Sequence, residues 1–496
     1  MRSPRYLAAA GLILAAYLLL GLTNVFTKAP WCDEAWFGSP AYNLAYHGFM
    51  GTTVLDPASS TWKSVKLTGI DQHTYWVMPL NLVFNAAAFR ILGFSIFPMR
   101  LLSLAWGLAA LLAWAAILWK LTRSKALAFT GVALIAVDYH FLAQAADGRM
   151  DIMTMALGWL GVAAHLLLRE RSFPLAVAVS QSLTALAFFT HPNGLLLVLI
   201  LLCTTLYLDR KRIRISTVAL AAAPYLTIAA AWGLYILQKP EDFITQFLGN
   251  AAARGPVITT PIAALITEIS TRYFDNYGMA SWSSLAGRTN ALPLLAFLAA
   301  TAACLLIPAI RRDPAARLLL IWTAIAAFYL TEFEGLKTPL YLLYITPLFS
   351  VLVAVAATWL WTHRPQWKFA VAGLLAVLCL FQTARTVIAD SRHPRRATYD
   401  PAVQYLRAHF TPRTFIMGGA QLIFGLGPEW NVLDDIRLGY NTGKRPDVIV
   451  IDPGWEDRIQ MLKTQSPPID AFVTNMMNSE YREAYRADGY RILVRQ

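Results

Sequence analysis

Apolar residues run along this chain in stretches of spanning length, not in the short amphipathic patterns of a soluble core. The first stretch, 6–26, follows Arg2 and Arg5. About 20 apolar residues cross a bilayer, whereas the core of a cleaved signal needs only about 7–15, and no small-residue cleavage site follows. A retained first helix with a cytoplasmic N-terminus is expected. Further runs cover 99–119, 125–143, 151–168, 173–190, 194–208, 215–237, 290–310, 317–333, 339–361 and 367–388. Against the same ~20-residue requirement they make, with the first stretch, about eleven spans.

The polar connections alternate in kind. Lys and Arg near span ends stay cytoplasmic, and here they gather in every second connection. These hold Lys120, Arg123 and Lys125; Arg169 and Arg171; Arg210, Lys211, Arg212 and Arg214; Arg311, Arg312 and Arg317; Arg364 and Lys368. The stretch 75–92 would reverse that parity if it crossed, and Asn81, Asn85 and Arg90 interrupt it. It is expected as an in-plane helix at the outer interface.

Composition agrees: 57% of the residues are hydrophobic and 14% are charged, against about 25% charged in soluble proteins. The formal charge of +13 sits in short tracts between apolar runs. No basic face with interleaved aromatics is present, so a nucleic-acid partner is not expected. Cys32, Cys203, Cys304 and Cys379 lie far apart, without disulfide-framework or zinc-ligand spacing.

The remaining connections carry carboxylates, imidazoles and a few cations. They are 27–74, with Asp33, Glu34, Asp71 and His73; 144–150, with Asp147 and Arg149; 191–193, with His191 and Asn193; 238–289, with Arg254 and Arg272; and 332–338, with Glu332, Glu334 and Lys337. Ionisable residues at membrane depth mark function by default, so any chemistry is expected on the outer face. Taken singly, each has a plainer reading. Asp33-Glu34 can cap a short interfacial helix, and Asp151 can serve the start of its own span. His191-Pro192-Asn193-Gly194 reads as a turn, and Lys337 as a snorkelling side chain.

In combination the motifs resemble membrane glycosyltransferases that take a sugar from a polyprenyl phosphate (GT-C type, glycosyltransferase family 39). Protein O-mannosyltransferases and bacterial lipid A aminoarabinose transferases are among them. That family opens with one helix and an outer loop with an Asp-Glu pair, then a helix ending in Gly. Asp33-Glu34 to Gly48 is similar. Asp71-Gln72-His73, Ile91-Leu92-Gly93 and Arg100-Leu101-Leu102 follow in the family's order, then Arg149-Met150-Asp151 and Lys337-Thr338-Pro339-Leu340-Tyr341. The chain departs from the pattern after His73, where Thr74 and Tyr75 replace two prolines.

The resemblance covers residues 1–390 and implies an inverting transfer to an acceptor hydroxyl of a protein, lipid or glycan. It implies Asp33 as general base with Asp151 as a second catalytic residue. Lys337, Arg254 and Tyr341 would hold the donor phosphate, with Arg272 as a further candidate. Glu34 and His73 would position the acceptor, and Asp151, Glu34 and His73 are the candidate ligands of a divalent metal ion. The expected setting is a bacterial inner membrane, with the active site on the periplasmic side. A lipid-linked glycan ligase or polymerase using a diphosphate donor is an alternative, as is a transporter or flippase. Transporters place charges near the bilayer midplane, and these spans are largely uncharged.

From 391 to 496 the composition turns soluble. Helices are expected over 399–410, 455–464 and 478–487, with strands at 414–417, 448–451, 471–474 and 490–494. Together they predict a small α/β domain on the same outer side. Gly418-Gly419 and Gly425-Leu426-Gly427 lack the context of a dinucleotide fingerprint.

Overall fold

The computed structural model describes residues 4–59, 65–254, 260–281, 283–487 and 489–496. The first ten helices are α1 (Pro4–Thr27), α2 (Cys32–His47), α3 (Leu80–Leu92), α4 (Ile96–Thr122), α5 (Lys125–Val137), α6 (Tyr139–Ala145), α7 (Asp151–Leu168), α8 (Phe173–Phe188), α9 (Gly194–Asp209) and α10 (Ile215–Ile236). Long apolar helices follow at Leu285–Leu306, Pro314–Glu332, Thr346–His363 and Lys368–Ser391.

The protein is an integral membrane protein. Among the described residues, 7 helices are long and apolar enough to cross a bilayer, or 8 when the bent pair α5 and α6 is counted as one span. The bend of 64° falls at Asp138. Its side chain accepts a hydrogen bond from Phe141 N (2.9 Å) and another from Gln382 Nε2 (2.8 Å). A buried carboxylate that starts α6 thereby stops α5, and no periodicity in the sequence announces it. The other expected runs, 173–190, 194–208 and 290–310, also fold as helices, but α8 and α9 have only 16 residues each. At 1.5 Å per residue these reach ~24 Å, short of a ~30 Å hydrocarbon core.

Two boundaries differ from the sequence reading. The run expected to cross from 339 begins as a 3-10 turn over Pro339–Tyr344, and the α-helix starts only at Thr346, with Pro347 in its first turn. Helix α3 has 13 residues, so at 1.5 Å per residue it spans ~20 Å and cannot cross. It packs instead on α2, where Tyr46 Oη donates to Phe89 O at 2.7 Å.

The C-terminal region carries a five-stranded sheet in the order β2-β1-β3-β5-β4, from β1 (Ile416–Gly418), β2 (Val432–Leu433), β3 (Val448–Ile451), β4 (Tyr481–Ala487) and β5 (Tyr490–Arg495). β1, β2 and β3 run parallel, and β4 and β5 form an antiparallel edge. Two expected elements exchange type here. Residues 471–474 lie inside the helix Pro467–Glu480, and 481–487, expected as helix, form β4. Pro467 and Pro468 pre-set the first helical turn. Val473 and Met476, three residues apart, bury one face of that helix. For 481–487, pairing with β5 overrides helix propensity.

This domain does not float free of the membrane part. Leu55, Trp76, Leu82 and Met99 share one buried cluster with Val403, Ile416, Leu422 and Val450. Phe94 and Phe424 stack with centroids 5.5 Å apart. The segment between α1 and α4 is packed between the long apolar helices and the sheet.

Candidate active site

Three consecutive residues between α6 and α7 bind the α1–α2 connection and the first turn of α2. Asp147 accepts from Lys28 Nζ and Trp31 Nε1, both at 2.9 Å. Gly148 N donates to Glu34 Oε1 at 2.9 Å. Arg149 pairs through Nη1 with Asp33. A side chain at Gly148 would stand 3.1 Å from Met99 Cβ and 3.3 Å from Glu34 Oε1, so glycine permits the approach.

Asp33 and Glu34, adjacent in the first turn of α2, have opposite fates. Glu34 is fully buried and grips Arg100 with both oxygens, each at 2.7 Å. Arg100 is completed by the carbonyls of Val25, Lys28 and Ala29. Burial pushes the Glu34 carboxyl above its ordinary range, and Arg100 opposes the rise. Glu34 also accepts from Trp31 N at 3.3 Å, so the plain capping reading holds for this residue. Asp33 is half-buried and faces a cavity.

That cavity, of about 220 Å³, is walled by Asp33, Trp36, Trp76, Arg149, His191 and Tyr341, with Glu334 and Asn250 among the others. Arg149 lies between two carboxylates: Nη1 meets Asp33, and Nε meets Asp151 Oδ2 at 3.0 Å. Burial alone would pull the guanidinium down, but Asp151 and Asp33 outweigh it and hold it above its ordinary value. Arg149 was named in the sequence without a role. Its signal was its place: it is one of the few cations in the connections that the basic tracts avoid.

The structure brings Asp33, Asp151 and Tyr341 together and leaves other candidates apart. Asp151 is fully buried behind Arg149. Tyr341 borders the cavity 5.7 Å from the His191 ring, so the expected turn at 191–194 forms and also faces the site. His73 is not on the cavity wall; it stacks on Tyr75 at 5.7 Å. Lys337 is buried too, and its Nζ donates to Leu330 O (2.9 Å) and Thr331 O (2.5 Å), at the end of Pro314–Glu332. It also pairs with Glu268 at 3.3 Å. A lysine on the last carbonyls of a helix complements its dipole. Arg272 is buried between Glu268 (2.8 Å) and Glu334. Arg254 ends the short helix Gly249–Arg254, and its side chain lies outside the described residues. Asn250 and Ala251 of that helix do reach the cavity.

Among the described residues no three His, Cys, Asp or Glu side chains form a group that could hold a metal ion. Asp151, Glu34 and His73 do not make a ligand set, because each carboxylate turns to a different arginine and His73 stacks elsewhere.

No family model matches the sequence, and no curated protein matches it. Solved structures do. The crystal structure of ArnT from Cupriavidus metallidurans bound to undecaprenyl phosphate aligns with a TM-score of 0.62 at 13% identity, over 98% of this chain and 97% of that one. Its apo state aligns at 0.61 and 14%, over 98% of each. The archaeal oligosaccharyltransferase AglB from Archaeoglobus fulgidus, in complex with an inhibitory peptide and a dolichol-phosphate, gives 0.51 and 14%, over 95% of this chain and 69% of that one. The chain has the GT-C membrane glycosyltransferase fold.

Proposed function

We propose that the protein transfers a sugar from a polyprenyl phosphate to an acceptor hydroxyl at the outer face of a bacterial inner membrane, with Asp33 as general base. One observation carries the reading: on the wall of a single cavity a half-buried carboxylate, Asp33, is joined to a buried cation, Arg149. The fold shared with ArnT bound to undecaprenyl phosphate supports the choice of donor carrier.

A sugar on a lipid phosphate already has a good leaving group, so no acid is needed to expel it. As the acceptor oxygen bonds to the anomeric carbon, its proton passes to Asp33. The bond from that carbon to the phosphate oxygen breaks, and the electron pair leaves on the phosphate. A single displacement inverts the configuration. A positioned base contributes typically ~10²–10⁴-fold, and cations placed where charge develops add to it. Asp151 holds Arg149 in place, and Tyr341 offers its hydroxyl to the phosphate. Lys337 acts by ordering the chain before Tyr341, and Arg254 is assigned to the donor phosphate from the helix that reaches the cavity.

Mass spectrometry of polyprenyl phosphates tests the reading. Cells lacking the protein should accumulate one polyprenyl-phosphate monosaccharide. An unchanged profile would remove the proposed donor, and an accumulated diphosphate oligosaccharide would point to the ligase alternative.

A further inference from the structure

We infer that the Arg149 guanidinium is the built-in cation of this site: it holds the place of a divalent ion between Asp33 and Asp151, and it meets the donor phosphate itself. The inference rests on the polyprenyl-phosphate reading given above.

Two carboxylates converging on one point are donors of the kind that hard divalent cations use. Here both converge on one side chain, Asp33 on Nη1 and Asp151 on Nε. Among the described residues Asp151 Oδ1 has no hydrogen-bond partner, and Arg149 is the only cation paired with Asp151. The guanidinium is also the only arginine or lysine among the described residues that lines the cavity. It carries five N–H donors in a planar fork, and Nη2 makes no hydrogen bond to a described residue. That edge suits a phosphate oxygen. The neighbouring cations are committed elsewhere, Arg100 to Glu34, Arg272 to two glutamates and Lys337 to carbonyls and Glu268.

The arrangement couples the two ends of the reaction. Before transfer, Asp33 is a carboxylate and draws Nη1 to itself. When Asp33 takes the acceptor's proton its charge disappears, and at the same moment the departing phosphate gains one. The guanidinium keeps all its protons and changes partner, from the base to the leaving group. Total charge is conserved, and Asp151 keeps the fork in place throughout.

The test uses the full-length protein in nanodiscs, with undecaprenyl phosphate as one probe and Mn²⁺, read by electron paramagnetic resonance, as the other. Wild type should bind the lipid phosphate equally with and without EDTA, and should show no Mn²⁺ site that Asp33→Asn or Asp151→Asn removes. Arg149→Ala should bind the lipid about 10–100-fold more weakly, the worth of one charge-assisted hydrogen bond, and should gain a Mn²⁺ site on the two exposed carboxylates. Arg149→Lys keeps the charge without the fork and should recover about tenfold over alanine. A wild-type Mn²⁺ site that both Asp variants abolish would overturn the inference. So would an Arg149→Ala protein that melts as a folded protein and binds the lipid like wild type, or an Arg149→Lys protein no better than alanine. Failure of the donor reading looks different: wild type would bind no lipid phosphate, and the Mn²⁺ comparison would still decide what holds the two carboxylates together.

Discussion

The indole of Trp36, in the cavity wall, donates its Nε1 hydrogen to Asp434 Oδ2 at 3.1 Å, joining helix α2 to the C-terminal domain across 398 positions of sequence. Asp434 also accepts from Trp455 Nε1 (3.0 Å) and Ala420 N (3.2 Å). Arg458 lies 5.9 Å over the Trp36 ring. The C-terminal domain therefore fixes one wall of the site. Asp434→Ala strands three donors at ~1–3 kcal/mol for each that stays buried, whereas Trp36→Phe removes one. Thermal unfolding in detergent should show a clearly larger loss for Asp434→Ala, and turnover should fall in the same order. Equal melting temperatures in all three proteins would break the link.

Asp434 also gives the fold a pH dependence. Burial pushes its carboxyl above the ordinary range, against the pull of Arg458 and the hydrogen bonds from Ala420 and Trp455. A raised folded-state value favours the neutral form. The contribution is fully present below about pH 3.9, the unfolded value, and is lost as pH rises through the folded one. Melting temperature followed upward from pH 4 should fall less steeply in Asp434→Asn than in wild type.

Glu34 and Arg100 are a structural pair. Both are fully buried, and breaking a buried pair by removing one partner costs about 3–5 kcal/mol. Glu34→Gln and Arg100→Met should each lower stability and yield of folded protein. A Glu34→Gln protein that melts like wild type but has lost turnover would instead give Glu34 a role in the chemistry.

Much of this was legible in the chain. Spanning runs announce themselves because a bilayer leaves no other place for them, and Asp33 stood out by its place just past the first span. Pairing was not legible. Asp33 and Glu34 are adjacent and chemically alike, yet one faces the cavity and the other a buried arginine, a choice set by the rotation of α2 and by Arg100 on a helix 66 positions away. Lys337, expected at the donor phosphate, donates instead to the carbonyls of Leu330 and Thr331 in this structure, and nothing local in the sequence reveals that they turn back toward it. The exchange of helix and strand around 467–487 has the same origin, since β4 exists only because β5 pairs with it.

The charge pattern makes a topological prediction. In a background without the native cysteines, single cysteines at the exposed positions Lys66 and Ser479 should react with an impermeant thiol reagent in intact spheroplasts. A cysteine at the exposed Lys211 should react only after the membrane is opened. Labelling of Ser479→Cys only in broken membranes would place the C-terminal domain, and the cavity with it, on the cytoplasmic side.

Asp33→Asn is the most direct test of the proposed chemistry. The amide keeps the size of the carboxylate but cannot take the acceptor's proton, and Asp151 remains to pair with Arg149. The measurement is glycosyl transfer by purified protein from the polyprenyl-phosphate sugar that accumulates in cells lacking it, with donor binding measured on the same preparations. Turnover should fall about 10²–10⁴-fold, roughly 3–5 kcal/mol of barrier, while donor affinity stays close to that of wild type. A variant that keeps more than about a tenth of wild-type turnover would contradict the assignment of Asp33 as the base.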